Sequence, residues 1–90
     1  MSSKAEIGWK NRTPEGERRE VYARHFGQRW RFFTRERRYD PWQPLPEPPL
    51  EDWLTLLDAV LRRVERRLLP PDEPARLRKR IRELFPEAPM

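Results

Sequence analysis

Apolar residues concentrate in two stretches of the chain, at residues 20–33 and 50–69, with a proline-rich segment between them. In the first stretch, aromatic and β-branched residues lie on both sides of Gly27-Gln28, and these residue types favour strands. Gly27-Gln28 suits a two-residue type II′ turn, which places glycine at its first central position. The pattern therefore predicts a β-hairpin over about 19–35.

The predicted turn sets the register of the hairpin, in which Phe26 pairs with Arg29 and Val21 with Thr34. Directly opposed residues share a face, so the two faces differ in chemistry. One face is mostly apolar and suits a core: Val21, Ala23, His25, Trp30, Phe32 and Thr34. The other alternates guanidinium groups with aromatic rings: Tyr22, Arg24, Phe26, Arg29, Arg31 and Phe33. A helix over 14–26 is the alternative, because Thr13-Pro14 resembles a helix start. If this segment were a helix, the face that alternates guanidinium groups with aromatic rings would not form.

The second apolar stretch has the period of an amphipathic helix, predicted over about 50–69. At 100° per residue, its apolar positions fall within an arc of ~120°, as in a helix that faces a core. They are Leu50, Trp53, Leu54, Leu57, Val60, Leu61, Val64 and Leu68. Pro70-Pro71 ends this helix. A second helix is predicted over about 73–85, with Asp72 as its N-cap.

These elements predict an α+β fold, in which a small antiparallel hairpin packs on two C-terminal helices. The segment Trp42–Leu45 could add a third strand, which Pro41 and Pro44 would confine to a sheet edge. Residues 41–49 otherwise predict a stiff, proline-rich connector.

The ends of the chain contain few apolar anchors, which predicts a flexible tail over residues 1–17 and another over 87–90. One small α+β domain is then expected over residues 18–86.

The composition narrows the chemistry. The chain has no cysteine, which excludes disulfides and thiolate zinc sites. The single histidine, His25, faces Trp30 in the predicted hairpin, and no nucleophile has a base beside it. We therefore expect a non-catalytic protein with no cofactor and no bound metal. No apolar run approaches the ~20 residues that span a bilayer, and no signal peptide is visible. We expect a cytoplasmic protein with no membrane partner.

Charge is the remaining signal. The chain has 17 Arg, 3 Lys and a net charge of +5, with basic zones at residues 1–40 and 61–82. A basic domain attracts polyanions, and arginine beside aromatic rings supplies phosphate pairing and base stacking. We therefore expect binding to nucleic acid, either DNA or RNA. The candidate residues are Tyr22, Arg24, Arg29, Arg31, Phe33, Arg35, Arg37, Arg38, Arg66, Arg67, Arg76 and Lys79.

Other interpretations of these surfaces stay open. The same residues could meet an acidic protein partner, as in an adaptor or accessory subunit, or arginine and aromatic side chains could simply stabilise an exposed sheet. The element order over residues 19–68 is similar in topology to small DNA-binding domains that lay a three-stranded sheet in the major groove, such as recombinase arm-binding domains. That similarity rests on element order, with no diagnostic motif. The sequence does not distinguish DNA, RNA and protein partners, and it leaves the oligomeric state open.

Overall fold

The computed structural model describes residues 6–27 and 29–88 and divides the chain into two compact units, Met1–Glu47 and Pro48–Met90. We call them the sheet unit and the helical unit. The sheet unit contains a four-stranded antiparallel sheet and the helical unit contains two α-helices, so the fold class is α+β, as predicted. The packing of hairpin and helices as a single domain over residues 18–86 stays a prediction.

The strands lie in the sheet in chain order: β1 (Glu6–Arg12), β2 (Arg18–Phe26), β3 (Arg29–Arg35) and β4 (Gln43–Pro44). β2 and β3 form the predicted hairpin, and every pair has the predicted register. Gly27 has a φ of 60°, the left-handed value that the predicted turn demands of its first central residue. Gln28, the second residue of that turn, lies outside the described residues.

β1 lies within the segment that the sequence predicted to be a flexible tail, and for Glu6–Arg12 that prediction is wrong. Residues 1–5 of the predicted tail lie outside the described residues. The strand has few apolar residues, and antiparallel pairing of all seven of its residues with residues 18–24 of β2 stabilises it. Because β2 is paired on both sides, its backbone hydrogen bonds are made within a sheet, and the helical alternative over 14–26 is also wrong.

A tight loop joins β1 to β2. The Gly16 N–H donates to the Thr13 carbonyl at 2.8 Å, and the Glu17 N–H donates to the Thr13 hydroxyl at 3.1 Å. Gly16 has a φ of 87°, which glycine adopts without steric cost. Pro14 and Gly16 are thus hairpin-loop residues rather than part of a helix start.

The apolar face of the sheet is the one predicted from the hairpin pattern. Val21, Ala23 and Phe32 are buried, and β1 adds Ile7 to the same face. Trp9 meets Phe32 edge to face, with ring centroids 6.1 Å apart. His25 is half-buried and stacks on Trp30 at 4.6 Å. The large rings of this face therefore pack on one another across three strands.

β4 is a two-residue edge strand within the segment where a third strand was considered. Pro44 lies opposite Phe33, and the Leu45 N–H continues the pairing by donating to the Phe32 carbonyl at 2.9 Å. Proline is tolerated there because an edge strand needs hydrogen bonds on one side only.

The helical unit consists of α1 (Leu50–Glu65) and α2 (Glu73–Leu84), which contact each other. α1 ends four residues before its predicted limit of 69, whereas α2 ends one residue before its predicted limit of 85. Among the described residues, neither helix combines the length and the apolar character needed to cross a membrane. The predicted tail at 87–90 includes residues 89 and 90, which lie outside the described residues.

A left-handed residue ends α1. Arg67 has a φ of 61°, the only positive φ of a non-glycine residue in the described part of the chain. The Arg67 N–H donates to the Val64 carbonyl at 2.9 Å, and the Leu68 N–H donates to the Arg63 carbonyl at 2.8 Å. This pair of bonds is the Schellman motif, in which glycine usually occupies the left-handed position.

The buried side of α1 differs from the predicted apolar stripe. Trp53, Leu57 and Val60 are buried as predicted, but Leu54 is 41% exposed and Leu68 is 60% exposed. Leu56, absent from the predicted stripe, is fully buried. The direction of burial depends on what packs against the helix, and Leu68 falls beyond the residue where α1 ends.

Candidate nucleic-acid interface

The sheet has a second face, formed by the residues that alternate with the buried ones, and we call it the arginine–aromatic face. Its cations are Lys10, Arg12, Arg18, Arg24, Arg29, Arg31 and Arg35. Its aromatic rings are Tyr22, Phe26 and Phe33, and Trp42 packs against Tyr22. Of the described residues, only two carboxylates, Glu6 and Glu20, share this face. Seven cations against two carboxylates give it a net charge of +5.

The aromatic rings at the centre of this face pack together. Tyr22 stacks on Phe33 with ring centroids 4.9 Å apart and an interplanar angle of 18°. Trp42 meets Tyr22 edge to face at 4.7 Å, and the Arg35 guanidinium lies 4.2 Å from the centre of the Trp42 ring. These contacts are cross-strand pairs of the kind that stabilise a sheet, so Tyr22, Phe33 and Arg35 each have a structural role.

Phe26, at the end of β2, has a different environment. Its side chain is 42% exposed, and the guanidinium carbons of Arg24 and Arg31 lie 5.4 Å and 5.1 Å from the centre of its ring. An exposed ring with two cations over it can stack on a base while the cations contact phosphates. Phe26 was assigned to this face from the sequence but was not among the candidate binding residues.

Two candidate arginines of the sheet face have acidic partners. Arg24 pairs with Glu6 at 3.1 Å, and Arg35 pairs with Glu20 at 2.9 Å. No carboxylate within the described residues lies within salt-bridge distance of Arg29 or Arg31, and both are exposed. Solvent-exposed pairs such as Arg24–Glu6 are weak, so most of the positive charge of this face is uncompensated.

The loop between β3 and β4 presents two further candidates, Arg37 and Arg38. The Asp40 N–H donates to the Arg37 carbonyl at 3.0 Å, and the Asp40 carboxylate accepts from the Arg37 N–H at 3.2 Å. These bonds hold the tip of the loop, where Tyr39 is 90% exposed and lies under the Arg38 guanidinium at 5.9 Å. The tip therefore extends the basic surface of the sheet unit and adds an exposed ring to it.

The remaining candidates, Arg66, Arg67, Arg76 and Lys79, lie in the helical unit, and Arg76 is held by carboxylates. Its guanidinium donates to Asp72 at 2.7 Å and to the buried Glu73 at 3.0 Å. The hydrogen bond to Glu73 is the main cause that raises the pKa of Arg76 above its ordinary value. Arg76 is thus cationic at every accessible pH, with its charge directed at the protein.

Arg66, Arg67 and Lys79 are exposed. Arg66 and Arg67 follow the last turn of α1, where cations complement the partial negative charge of the helix C-terminus. The same partial charge disfavours an anion, so these two arginines are better explained by the helix than by a phosphate ligand. Lys79 has no such explanation and stays a candidate.

The sequence interpretation missed the contribution of β1 to the interface. Lys10 and Arg12 join the arginine–aromatic face only because β1 pairs with β2. The signals that could have indicated this strand are the alternation of Ile7 and Trp9 with polar residues, followed by the turn residues Pro14 and Gly16.

No group of three or more His, Asp or Glu side chains in residues 6–27 and 29–88 has an arrangement that could hold a metal ion. Comparison of the chain with protein-family models, with curated proteins and with solved structures gives no match. Functional inference therefore rests on the geometry and charge of the molecule itself.

Proposed function

We propose that this chain is a small, non-catalytic, cytoplasmic module that binds nucleic acid through the arginine–aromatic face of its sheet. The observation that supports the proposal is the net charge of +5 on one sheet face that also carries aromatic rings. The proposed module needs no cofactor, because phosphate neutralisation and base stacking require only side chains.

The spacing of the cations suits a phosphate backbone. Alternate residues of a strand lie ~7 Å apart on one face, which is comparable to the separation of successive phosphates along a nucleic-acid strand. Arg29 and Arg31 have this relation on β3, and Arg24 lies directly opposite Arg31 on β2. Three guanidinium groups are thereby placed so that each can contact a phosphate.

The aromatic rings supply the second component. Phe26 lies among these three arginines and is the most exposed ring of the arginine–aromatic face. Stacking on an aromatic side chain contributes ~1–3 kcal/mol per base and tolerates any base. The proposal therefore predicts affinity that depends strongly on charge and weakly on sequence.

The experiment is a fluorescence anisotropy titration of single-stranded and duplex oligonucleotides over a range of salt concentrations. The logarithm of the binding constant should fall linearly with the logarithm of salt concentration, by ~0.7 to 0.9 per phosphate neutralised. Arg24→Ala with Arg31→Ala should weaken binding and reduce this slope without unfolding the protein, since both side chains are on the surface.

The matched control is Arg62→Ala with Arg80→Ala, which removes the same charge from exposed sites of the helical unit. This control should bind almost as well as the parent protein. Absence of measurable binding at ~50 mM salt, where phosphate contacts are strong, would contradict the proposal.

A protein–protein adaptor is the second candidate function, and the exposure of Tyr39 favours it. Tyrosine beside arginine is typical of the residues that anchor protein interfaces, and Arg37 and Arg38 adjoin Tyr39 at the loop tip. Co-purification from the native cell, with and without nuclease, separates the two functions. A partner retained after nuclease treatment supports the adaptor, and a partner lost supports the nucleic-acid module.

A further inference from the structure

The arginine–aromatic face contains a groove that is lined by both of its carboxylates. The groove has a volume of about 520 Å³ and is lined by Glu6, Gly8, Lys10, Glu20, Tyr22 and Trp42. Both carboxylates of the face line this groove, and each has a cationic partner, Arg24 for Glu6 and Arg35 for Glu20. The groove is therefore less positive than the surrounding surface, and it suits a base better than a phosphate.

The absence of a side chain at position 8 keeps this groove open. Gly8 lies opposite Tyr22, whose ring is turned toward Phe33 and Trp42 on the other side of β2. The backbone of Gly8 does not have a positive φ. An added Cβ would make only ordinary contacts, 3.6 Å from the Val21 carbonyl oxygen and 3.8 Å from the Tyr22 Cβ.

The fold thus does not require glycine at position 8. Glycine within a strand reduces stability, and one explanation for its presence is the close approach of a ligand.

Contacts across the sheet hold the Glu20 carboxylate in place. Arg35 binds the Glu20 carboxylate at 2.9 Å and lies over the Trp42 ring at 4.2 Å. The Glu20 side chain is 23% exposed, so it reaches solvent from a fixed position. A fixed carboxylate beside aromatic rings is suited to a flat, aromatic ligand that presents hydrogen-bond donors.

We propose, on the basis of the proposed function, that this groove binds one unpaired guanine of a single-stranded nucleic acid. Guanine alone among the bases presents two adjacent N–H donors, N1 and N2, on its pairing edge, and they match the two oxygens of the Glu20 carboxylate. Uracil presents a single N–H between two carbonyl groups, and the oxygens of those carbonyls are repelled by a carboxylate. In a duplex the pairing edge is occupied, so the base must be unpaired.

The test compares two labelled oligomers by fluorescence anisotropy at ~50 mM salt. One is an oligouridine of about nine nucleotides, a length within the range one small domain covers. The other has a single guanine at its centre. A bidentate contact is expected to tighten binding of the guanine oligomer at least about fivefold.

Gly8→Val places a branched side chain in the groove beside Tyr22 and leaves every charge in place. It should abolish the guanine preference while leaving the affinity for oligouridine unchanged. The substitution is compatible with a strand, and Gly8→Ala is a smaller filling variant should valine disturb the sheet. A guanine preference that survives in a folded Gly8→Val protein would overturn the inference.

Glu20→Gln tests the carboxylate itself. An amide presents one acceptor and one donor, so the guanine preference should fall, while affinity for oligouridine should stay the same or rise because a negative charge is removed. The matched control is Glu36→Gln, which removes an exposed negative charge outside the groove and should leave the preference unchanged.

The two levels of the proposal fail differently. Equal binding of both oligomers by the parent protein overturns the guanine site and leaves the nucleic-acid module standing. Binding of neither oligomer, nor of a duplex, contradicts the module as a whole.

Discussion

The sheet unit and the helical unit both contain many arginines, but they use them differently. The sheet unit has eleven basic and seven acidic residues, which give it a net charge of +4. The helical unit has nine basic and eight acidic residues, which give it a net charge of +1. In the sheet unit, seven cations share one face with only two carboxylates. In the helical unit, Arg62, Arg76 and Arg80 each pair with a carboxylate one turn away.

This difference teaches that the number of arginines does not locate a polyanion site. What locates such a site is whether nearby carboxylates neutralise the arginines. On a helix, residues three or four apart meet, and acidic partners within the same segment neutralise a basic run. On a sheet, alternate residues of neighbouring strands share a face, so cations from distant parts of the sequence accumulate on it.

The largest effect is expected on the two faces of the sheet. Phe32→Ala should reduce the free energy of unfolding by ~3–5 kcal/mol, because Phe32 is 4% exposed and packs with Trp9. Phe26→Ala should reduce it by about 1 kcal/mol or less, because Phe26 is on the exposed face. Denaturant unfolding followed by circular dichroism measures both. Equal losses would show that the two faces do not differ in burial as described.

The second prediction concerns the direction in which α1 is buried. Leu56→Ala should cost ~2–5 kcal/mol, because Leu56 is fully buried. Leu54→Ala is the matched control, with the same atoms removed from an exposed position two residues away, and should cost about 0.5 kcal/mol. Thermal and denaturant unfolding measure which of the two variants loses more stability. The reverse order would restore the apolar stripe expected from periodicity alone.

The third prediction tests where nucleic acid binds. Arg29→Ala with Arg31→Ala should reduce the salt dependence of binding by about two phosphate contacts, one for each cation. Arg62→Ala with Arg80→Ala removes the same charge from exposed, salt-bridged positions of the helical unit and should leave the salt dependence nearly unchanged. Anisotropy titrations at several salt concentrations supply the slopes. Similar slopes for both variants would mean that both units contact the polyanion.

The smallest effect is expected at the end of α1. Arg67→Gly should raise the free energy of unfolding by ~1 kcal/mol, because Arg67 has a left-handed backbone that a Cβ disfavours. Arg66→Gly is the control, since Arg66 has a φ of −90° and gains nothing from glycine. It should be destabilising by roughly 0.5 kcal/mol or more. A loss of stability in Arg67→Gly would show that the left-handed turn is absent in solution.

Local pattern was sufficient for the central hairpin and for the existence of both helices. The residues around Gly27 encode both the alternation of apolar and polar side chains and the turn. The antiparallel pairing, its register and the face on which each side chain lies therefore followed from a short segment. The candidate site could be predicted as far as this hairpin extends, which includes Arg24, Arg29 and Arg31 on one face. The order of the helices and the start of each also followed from local signals.

The limits of that reasoning appear at β1 and α1. The segment Glu6–Arg12 has too few apolar residues for local pattern alone to predict a strand. It becomes a strand because it pairs with β2 across a tight loop. Periodicity shows that α1 has an apolar side but cannot choose between Leu54 and Leu56, because the direction of burial is set by what packs there.

The sequence by itself determined an arginine-rich chain with a hairpin whose faces differ and two amphipathic helices. Only the tertiary structure decided that seven cations share one face, that Glu73 holds Arg76, and that two carboxylates line a groove over Gly8. The physical reason is that each of these features depends on pairing or packing between elements. Turn chemistry and periodicity are encoded within a few residues, but the neighbours that neutralise a charge or open a groove are not.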